Sequence, residues 1–224
     1  MKGTSPNFDR IARPYRLLEY LSIGRLLEKT RFTFMHRMQC AKKALVLGDG
    51  DGRFTAKLLQ ENDAVRVTAV DISPEMLRLM RERCSWAGGR LKTVNTDALS
   101  FCREDSQKYD LVVTHFFLDC LSQSEVNELA ALVASLTEPE AVWVLSEFAI
   151  PRNAMRLPAR VLVRGLYAAF RIVTGLRTSR LPDHSSALKS AGFMKVEMQS
   201  RMAGILCAER WVRRETVDQD RRDT

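Results

Sequence analysis

Apolar and polar positions recur along this chain with two different periods, and each change of period marks a new element. Over residues 8–39 the apolar positions Leu17, Leu18, Leu21, Ile23, Leu26 and Leu27 fall near a 3.6-residue repeat, which predicts helix interrupted at Pro14 and Gly24. The pattern then shifts. AKKALVLG closes on a short apolar run that reads as a strand, followed by the loop GDGDG and a helix, RFTAKLLQEN. VRVTAV is a second strand, and SPEMLRLMRERCS a helix with Ser73 as N-cap and Pro74 at its first position. LKTVN and YDLVVTHF are the third and fourth strands; SEVNELAALVASL is a helix capped by Ser124, and AVWVLSEF a fifth strand. A short helix, SSALKSAG, precedes two strands with no helix between them, MKVEMQS and AGILCAERWV.

Strands alternating with helices imply βαβ units, hence a parallel sheet covered on both faces. The Met-Ala-Gly link between the last two strands is too short for a parallel crossover, so one of them runs antiparallel. The expected fold is α/β and Rossmann-like: seven strands, mostly parallel, with an antiparallel C-terminal hairpin and helices on both faces. The expected organisation is an N-terminal helical lid segment over 1–43, one domain over 44–213 with a basic helical insert at 148–182, and a polar flexible tail at 214–224.

Composition narrows the class. With 224 residues, 46% hydrophobic and 28% charged, the chain has the makeup of a globular domain and is too apolar for a disordered one. No stretch approaches the roughly 18 consecutive apolar residues of a membrane span. MKGTSPNFDRIARPYR carries no apolar run, so no signal peptide is expected. Cys40, Cys84, Cys102, Cys120 and Cys207 form no CxxC pair and read as reduced thiols of a cytoplasmic protein, with no metal site. The net charge of +8 is uneven: residues 1–43 hold ten Lys/Arg against three Asp/Glu, and residues 148–182 hold seven Arg and no acid. Such segments either form solvated helical faces or attract anionic partners.

The loop after the first strand, Gly48-Asp49-Gly50-Asp51-Gly52, stands where an open α/β sheet binds its ligand. Its glycines permit a tight turn and close backbone approach. A dinucleotide fingerprint requires glycine at position 53, where Arg53 stands, and two aspartates repel a pyrophosphate. They suit a cation, such as a sulfonium or an α-amino group. Asp71 ends the second strand, where an acid accepts both hydroxyls of a ribose. Asp97 follows the third strand, within reach of an adenine amino group.

These residues carry a resemblance. ALVLGDGDG resembles the first motif of the class I S-adenosylmethionine-dependent methyltransferases, VTAVDISPEML the second, TDAL the third and YDLVVTHFFLDCL the fourth, over about residues 44 to 211. The resemblance implies S-adenosyl-L-methionine as cofactor and S-adenosyl-L-homocysteine as product. Gly48, Asp49 and Gly50, in the loop completed by Asp51 and Gly52, would line the methionine portion. Asp71 would bind the ribose, Ile72 and Met76 would pack near the adenine, and Asp97 and Ala98 would face its edge. Thr114, His115 and Phe116 would sit beside the transferable methyl group. Val46 departs from the family, which has an acid two residues before the first glycine; Asp49 or Asp51 is left to compensate.

His115, at the end of strand four, is the candidate base or positioning group, and Asp119, four residues on, the candidate contact to cofactor or acceptor. His184 is a loop histidine that either faces the acceptor or lies on the surface. The string FDRIARPYRLLEYLSIGRLLEK is similar to the entry segment of ubiquinone/menaquinone-biosynthesis methyltransferases through Phe8, Asp9, Ala12 and Tyr15, which implies a cofactor or acceptor contact for Tyr15. In the insert, at about 100° per residue, Arg156, Arg160, Arg164 and Arg171 fall within about 80° of one another, with Leu162, Leu166, Phe170 and Val173 on much of the rest. Such a helix either lids the sheet or lies on an anionic membrane. The expected function is methyl transfer to a small hydrophobic, lipid- or quinone-like acceptor. The alternatives are an RNA or protein methyltransferase using the basic segments, and a cofactor-binding protein without turnover.

Overall fold

The computed structural model describes residues 24–151, 156, 157, 160 and 181–214. In chain order the elements are α1 (Gly24–Arg31), β1 (Lys43–Leu47), α2 (Arg53–Glu61), β2 (Arg66–Asp71), α3 (Pro74–Arg83), β3 (Leu91–Asn95), α4 (Ala98–Glu104), β4 (Tyr109–His115), α5 (Gln123–Leu136), β5 (Thr137–Phe148), α6 (His184–Ser190), β6 (Phe193–Arg201) and β7 (Leu206–Arg213). Short 3-10 turns at Met35–Arg37, Ser85–Arg90, Leu118–Cys120 and Met202–Gly204 join them.

All seven strands form one sheet in the order β3-β2-β1-β4-β5-β7-β6. The five strands β1 to β5 pair in parallel, and β7 runs antiparallel to both β5 and β6. It is therefore β7, reached through a three-residue turn, that reverses. Each central strand is buried on both sides, so it reads as a continuous apolar run. On β1, Ala44 and Val46 face one core with Phe54, Leu58, Leu77 and Met80, while Leu45 and Leu47 face the other with Phe101, Val126, Leu129 and Val133. Helices α2 and α3 thus cover one face and α4, α5 and α6 the other. Trp143 and Trp211, both fully buried, are register partners across β5 and β7.

The caps show where local chemistry set the boundaries. Ser73 accepts from the Met76 amide and Pro74 opens α3, as expected. The cap of α5 stands two residues before the expected Ser124: Ser122 accepts from the Glu125 amide at 3.3 Å while Glu125 accepts from the Ser122 amide at 2.7 Å. This reciprocal pair satisfies two amide donors, whereas Ser124 bonds only the Ser122 hydroxyl at 3.1 Å. Strand β5 begins at Thr137, four residues earlier than expected, with no loop after α5. The expected helix over 8–39 resolves into α1 and the turn at Met35–Arg37 within the described residues. Its first part, including Leu17, Leu18, Leu21 and Ile23, lies outside them.

Order reverses between β1 and β4, so the loops leaving these two strands diverge and open a crevice at the carboxyl edge. The loops that carry the chemical candidates of β1, β2, β3 and β4 all leave the sheet at that edge.

Candidate active site

The loop from β1 to α2 forms the floor of the crevice. Gly48, Gly50 and Gly52 all adopt left-handed backbone, with φ of 69°, 62° and 78°. They are glycines for different reasons. A Cβ on Gly48 would lie 2.3 Å from the Phe117 ring, and one on Gly52 would lie 2.3 Å from the Met80 side chain. Gly50 is open: the nearest atom to a Cβ there is the Met76 Sδ at 3.7 Å. The loop therefore leaves room at Gly50, the candidate cradle for a ligand.

Asp71 closes the cradle. Its Oδ2 accepts from the Gly50 amide at 3.3 Å and its Oδ1 from the Ser73 amide at 2.9 Å, so the half-buried carboxylate is held at the loop. Asn95 donates to the carbonyls of Asp71 and Ile72, each at 3.0 Å, which ties the tip of β3 to that of β2. Asp97 is exposed and caps α4 by accepting from the Ser100 amide at 2.9 Å. Burial works to raise its pKa, but the Ser100 hydroxyl and amide outweigh it and hold the carboxyl below its usual value. Ala98 follows as the first, half-buried residue of α4.

The two loop aspartates separate. Asp51 is spent on structure, since its Oδ2 accepts from Arg53 Nε at 3.3 Å and Arg83 Nη2 at 2.7 Å. Asp49 turns beneath the loop, where its Oδ2 accepts both the amide and the hydroxyl of Thr55 at 2.8 Å. Its Oδ1 is shut off from solvent with no hydrogen-bond partner. Burial, the largest influence, pushes the Asp49 carboxyl up to about 6 against the pull of Thr55 and the Arg31 guanidinium. Val46, where the family carries an acid, is core.

At the tips of β4 and β5 the candidates divide by strand parity. The Thr114 hydroxyl is fully buried and accepts from Trp143 Nε1 at 3.0 Å, so its side chain belongs to the core and not to the crevice. His115, 4% exposed, points to the α2 side, where its ring meets Phe54 edge-on at 4.5 Å. Ser146 donates to the Thr30 carbonyl at 3.2 Å and so accepts from His115 Nδ1 at 3.0 Å. That arrangement assigns the proton to Nδ1 and leaves Nε2 a buried lone pair. Burial, and then the nearby Arg31, hold the imidazole well below its ordinary pKa. Phe116 takes φ of 54° and turns its ring onto Phe148 at 5.2 Å, with the Arg31 guanidinium 5.5 Å over its face. Asp119 is buried in the turn that follows.

Three residues that sequence reasoning passed over complete the centre. Arg31 and Thr30, at the end of α1, reach the Phe116 ring and Ser146. Glu147, 1% exposed, accepts from the Phe117 and Leu118 amides at 3.4 and 3.0 Å. Polar Ser-Glu at the end of the apolar run AVWVLSEF was the available signal. His184 is the first residue of α6, with Nε2 3.3 Å from Glu209 Oε2, a carboxylate shared with Lys195 and Trp211. Tyr15, Arg164 and Arg171 lie outside the described residues, while Arg156 and Arg160 are exposed.

Residues 44–140 match a family model described as a methyltransferase domain. Polyamine aminopropyltransferase 1 of Streptomyces coelicolor is 35% identical over 80 residues, 32% of this chain. That match spans only 15% of the relative's own length. Among solved structures, the N-methyltransferase NodS from Bradyrhizobium japonicum WM9, in complex with S-adenosyl-L-homocysteine, aligns with a TM-score of 0.63 at 17% identity, covering 92% of this chain and 99% of NodS. The mitomycin 7-O-methyltransferase MmcR aligns with a TM-score of 0.68 at 16% identity, covering 95% of this chain and 61% of MmcR. The strand order, the reversed β7 and these matches agree: residues 44–140 match a methyltransferase domain, and the sheet has the fold of these solved methyltransferases.

Proposed function

We propose that the protein transfers a methyl group from S-adenosyl-L-methionine to a small, largely apolar acceptor. The observation that carries this is the Gly50–Asp71 pairing, an open glycine cradle with a carboxylate fixed at its rim. The cofactor supplies a methyl group already activated on a cationic sulfur. The chain's task is then to align the acceptor and to receive its proton. Asp71 accepts the ribose hydroxyls. Ile72 and Met76 pack the adenine while Asp97 and Ala98 meet its edge, and Gly48, Asp49 and Gly50 face the methionine portion. Phe116 borders the methyl group. Asp119 takes the acceptor's proton, and His115, fixed through Ser146 to α1, holds the strand tips in place. Tyr15, outside the described residues, is a further candidate for a contact to cofactor or acceptor.

An apolar acceptor is supported by the cluster of Phe148, Ile205 and Leu206, flanked by Leu27, Phe116, Leu181 and Met202, at the same edge of the sheet. Leu157 is 71% exposed between the exposed Arg156 and Arg160, a composition suited to an anionic membrane from which such an acceptor would enter. Among the described residues no helix is long and apolar enough to cross a membrane. A nitrogen acceptor is the second reading, favoured by the buried Asp119, whose charge attracts an ammonium.

The test is transfer of labelled methyl groups into a membrane-containing extract, with products split into organic, aqueous and acid-precipitable fractions. Organic label that vanishes with Asp71→Ala is the expected result. Aqueous label supports the amine, and nuclease-sensitive precipitated label overturns the small-molecule reading. Binding of S-adenosyl-L-homocysteine without label anywhere leaves a silent binder.

A further inference from the structure

The turn after β4 is held by a group on the neighbouring strand. Glu147 lies next to the end of β5, and its Oε1 accepts from two successive amides, Phe117 at 3.4 Å and Leu118 at 3.0 Å; the Asp119 amide also donates to its carboxyl. The first donors of the Leu118–Cys120 turn thus converge on one side chain, as they would on a helix cap. Its Oε2 is buried without a hydrogen-bond partner, and the Asp119 carboxyl stands close enough to repel it. Around the pair lie Cys120, whose Sγ is 3.5 Å from Asp119 Oδ1, and Cys207, whose Sγ donates to the Glu147 carbonyl at 3.4 Å. Asp71 reaches the same cluster from the loop side through Cys120, and Arg31 stands over Phe116 from α1. Two neighbouring buried carboxylates are costly when both are ionised, and one retained proton removes much of the cost.

We infer that Glu147 is a positioning residue: it clamps the Phe117–Cys120 turn by its amides and, by sharing one proton with Asp119, keeps that acid ionised at the reaction centre. Burial, and then the Asp119 charge, hold the Glu147 carboxyl well above its ordinary range, while the turn amides pull the other way without prevailing. The clamp has a consequence for the cofactor loop, because the same turn sets the Phe117 ring against Gly48. The inference rests on the methyltransferase reading for the meaning of the site, but its first readout needs no cofactor.

Infrared spectroscopy of the whole protein near neutral pH is expected to show a buried protonated-carboxyl stretch that disappears in Glu147→Gln. In Asp119→Asn the same band should titrate at lower pH, since the repelling charge is gone. Absence of the band, or its survival in Glu147→Gln, overturns the inference, as does an unchanged titration in Asp119→Asn. By calorimetry, Glu147→Gln retains the acceptor and adds a donor, so its S-adenosyl-L-homocysteine affinity should stay within about threefold of wild type, whereas Glu147→Ala should lose about tenfold or more. A Gln variant as weak as the Ala variant shows that an ionised carboxylate is required and refutes the shared proton. If wild type binds no S-adenosyl-L-homocysteine, the methyltransferase reading fails while the infrared result still decides the role of Glu147.

Discussion

Replacing Asp49 with asparagine tests the electrostatics beneath the glycine loop. In the folded protein the carboxyl holds its proton up to about pH 6, whereas the unfolded chain releases it near 3.8. Between those values the folded state binds more protons than the unfolded one, so stability falls as pH rises, and it is level above. A carboxyl raised from 3.8 to about 6 corresponds to about 3 kcal/mol, for a side chain with one sealed oxygen that accepts no hydrogen bond. The Asp49→Asn variant keeps a carbonyl oxygen to accept from the Thr55 amide and carries no charge. Urea unfolding of both proteins at about pH 4 and about pH 7.5 should therefore show the variant gaining about 2–3 kcal/mol relative to wild type across the interval. Differencing the two pH values cancels every other titrating group and every pH-independent change in packing. A relative gain below about 0.5 kcal/mol would refute the account. Calorimetric titration with S-adenosyl-L-homocysteine is the companion measurement, and Asp49→Asn should bind about tenfold more weakly at pH 7.5 if the carboxylate faces the methionine ammonium. Greater stability with weaker binding marks a residue kept for function at the expense of the fold.

Asp71→Ala removes the rim carboxylate and should weaken S-adenosyl-L-homocysteine binding about 100-fold, the worth of two charge-assisted hydrogen bonds; unchanged calorimetric affinity would place the ribose elsewhere. Gly48→Ala meets the Phe117 ring as well as left-handed strain and should cost about 2–4 kcal/mol by denaturant unfolding. Gly50→Ala meets only the strain and should cost about 1 kcal/mol while still impairing cofactor binding. Equal losses from the two alanines would contradict the open cradle. Ser122→Ala breaks the capping box of α5 and should lower the melting temperature by about 2–4 °C, for about 1 kcal/mol. His115, with its pKa depressed by burial, should stay neutral from pH 8 down through about 6.5, so its imidazole resonances should not titrate there by NMR. As pH falls below that value the unfolded chain takes up a proton that the folded state refuses, and the contribution of His115 to stability is lost.

The sheet was legible because its information is local. Each βα unit announces itself by an apolar run, a glycine, serine or aspartate cap and a helix, and the short Met202–Gly204 link demanded an antiparallel strand. The Asp71 position was legible for the same reason, being tied to the end of one strand and one helix cap. The cap falls on Ser122 and not on the expected Ser124, two serines at the start of the same helix; the choice turns on which one stands three residues before Glu125. The parity at the tip of β4 was also readable in principle, since Thr114 and His115 must point to opposite faces. What sequence did not supply was which face each core occupies, and therefore that Thr114 goes to Trp143 and His115 to Phe54.

Glu147 and Arg31 were out of reach for a different reason. Their partners lie about 30 and 85 residues away along the chain, at Phe117 and Phe116, and only the β4–β5 register and the docking of α1 bring them together. The Val46 departure resolves on the same grounds. A carboxylate on β1 at that position would project into the core face that holds Val46, Phe54 and Met80, whereas Asp49 brings its carboxylate to the Thr55 amide from the loop above. Asp51 cannot serve, because Arg53 and Arg83 hold its Oδ2 on the outer side of the loop. The chain thus places an acid at the N-terminus of α2, three positions after Val46. The raised pKa of Asp49, about 6, follows from that burial, and it puts a titrating group beneath the glycine loop.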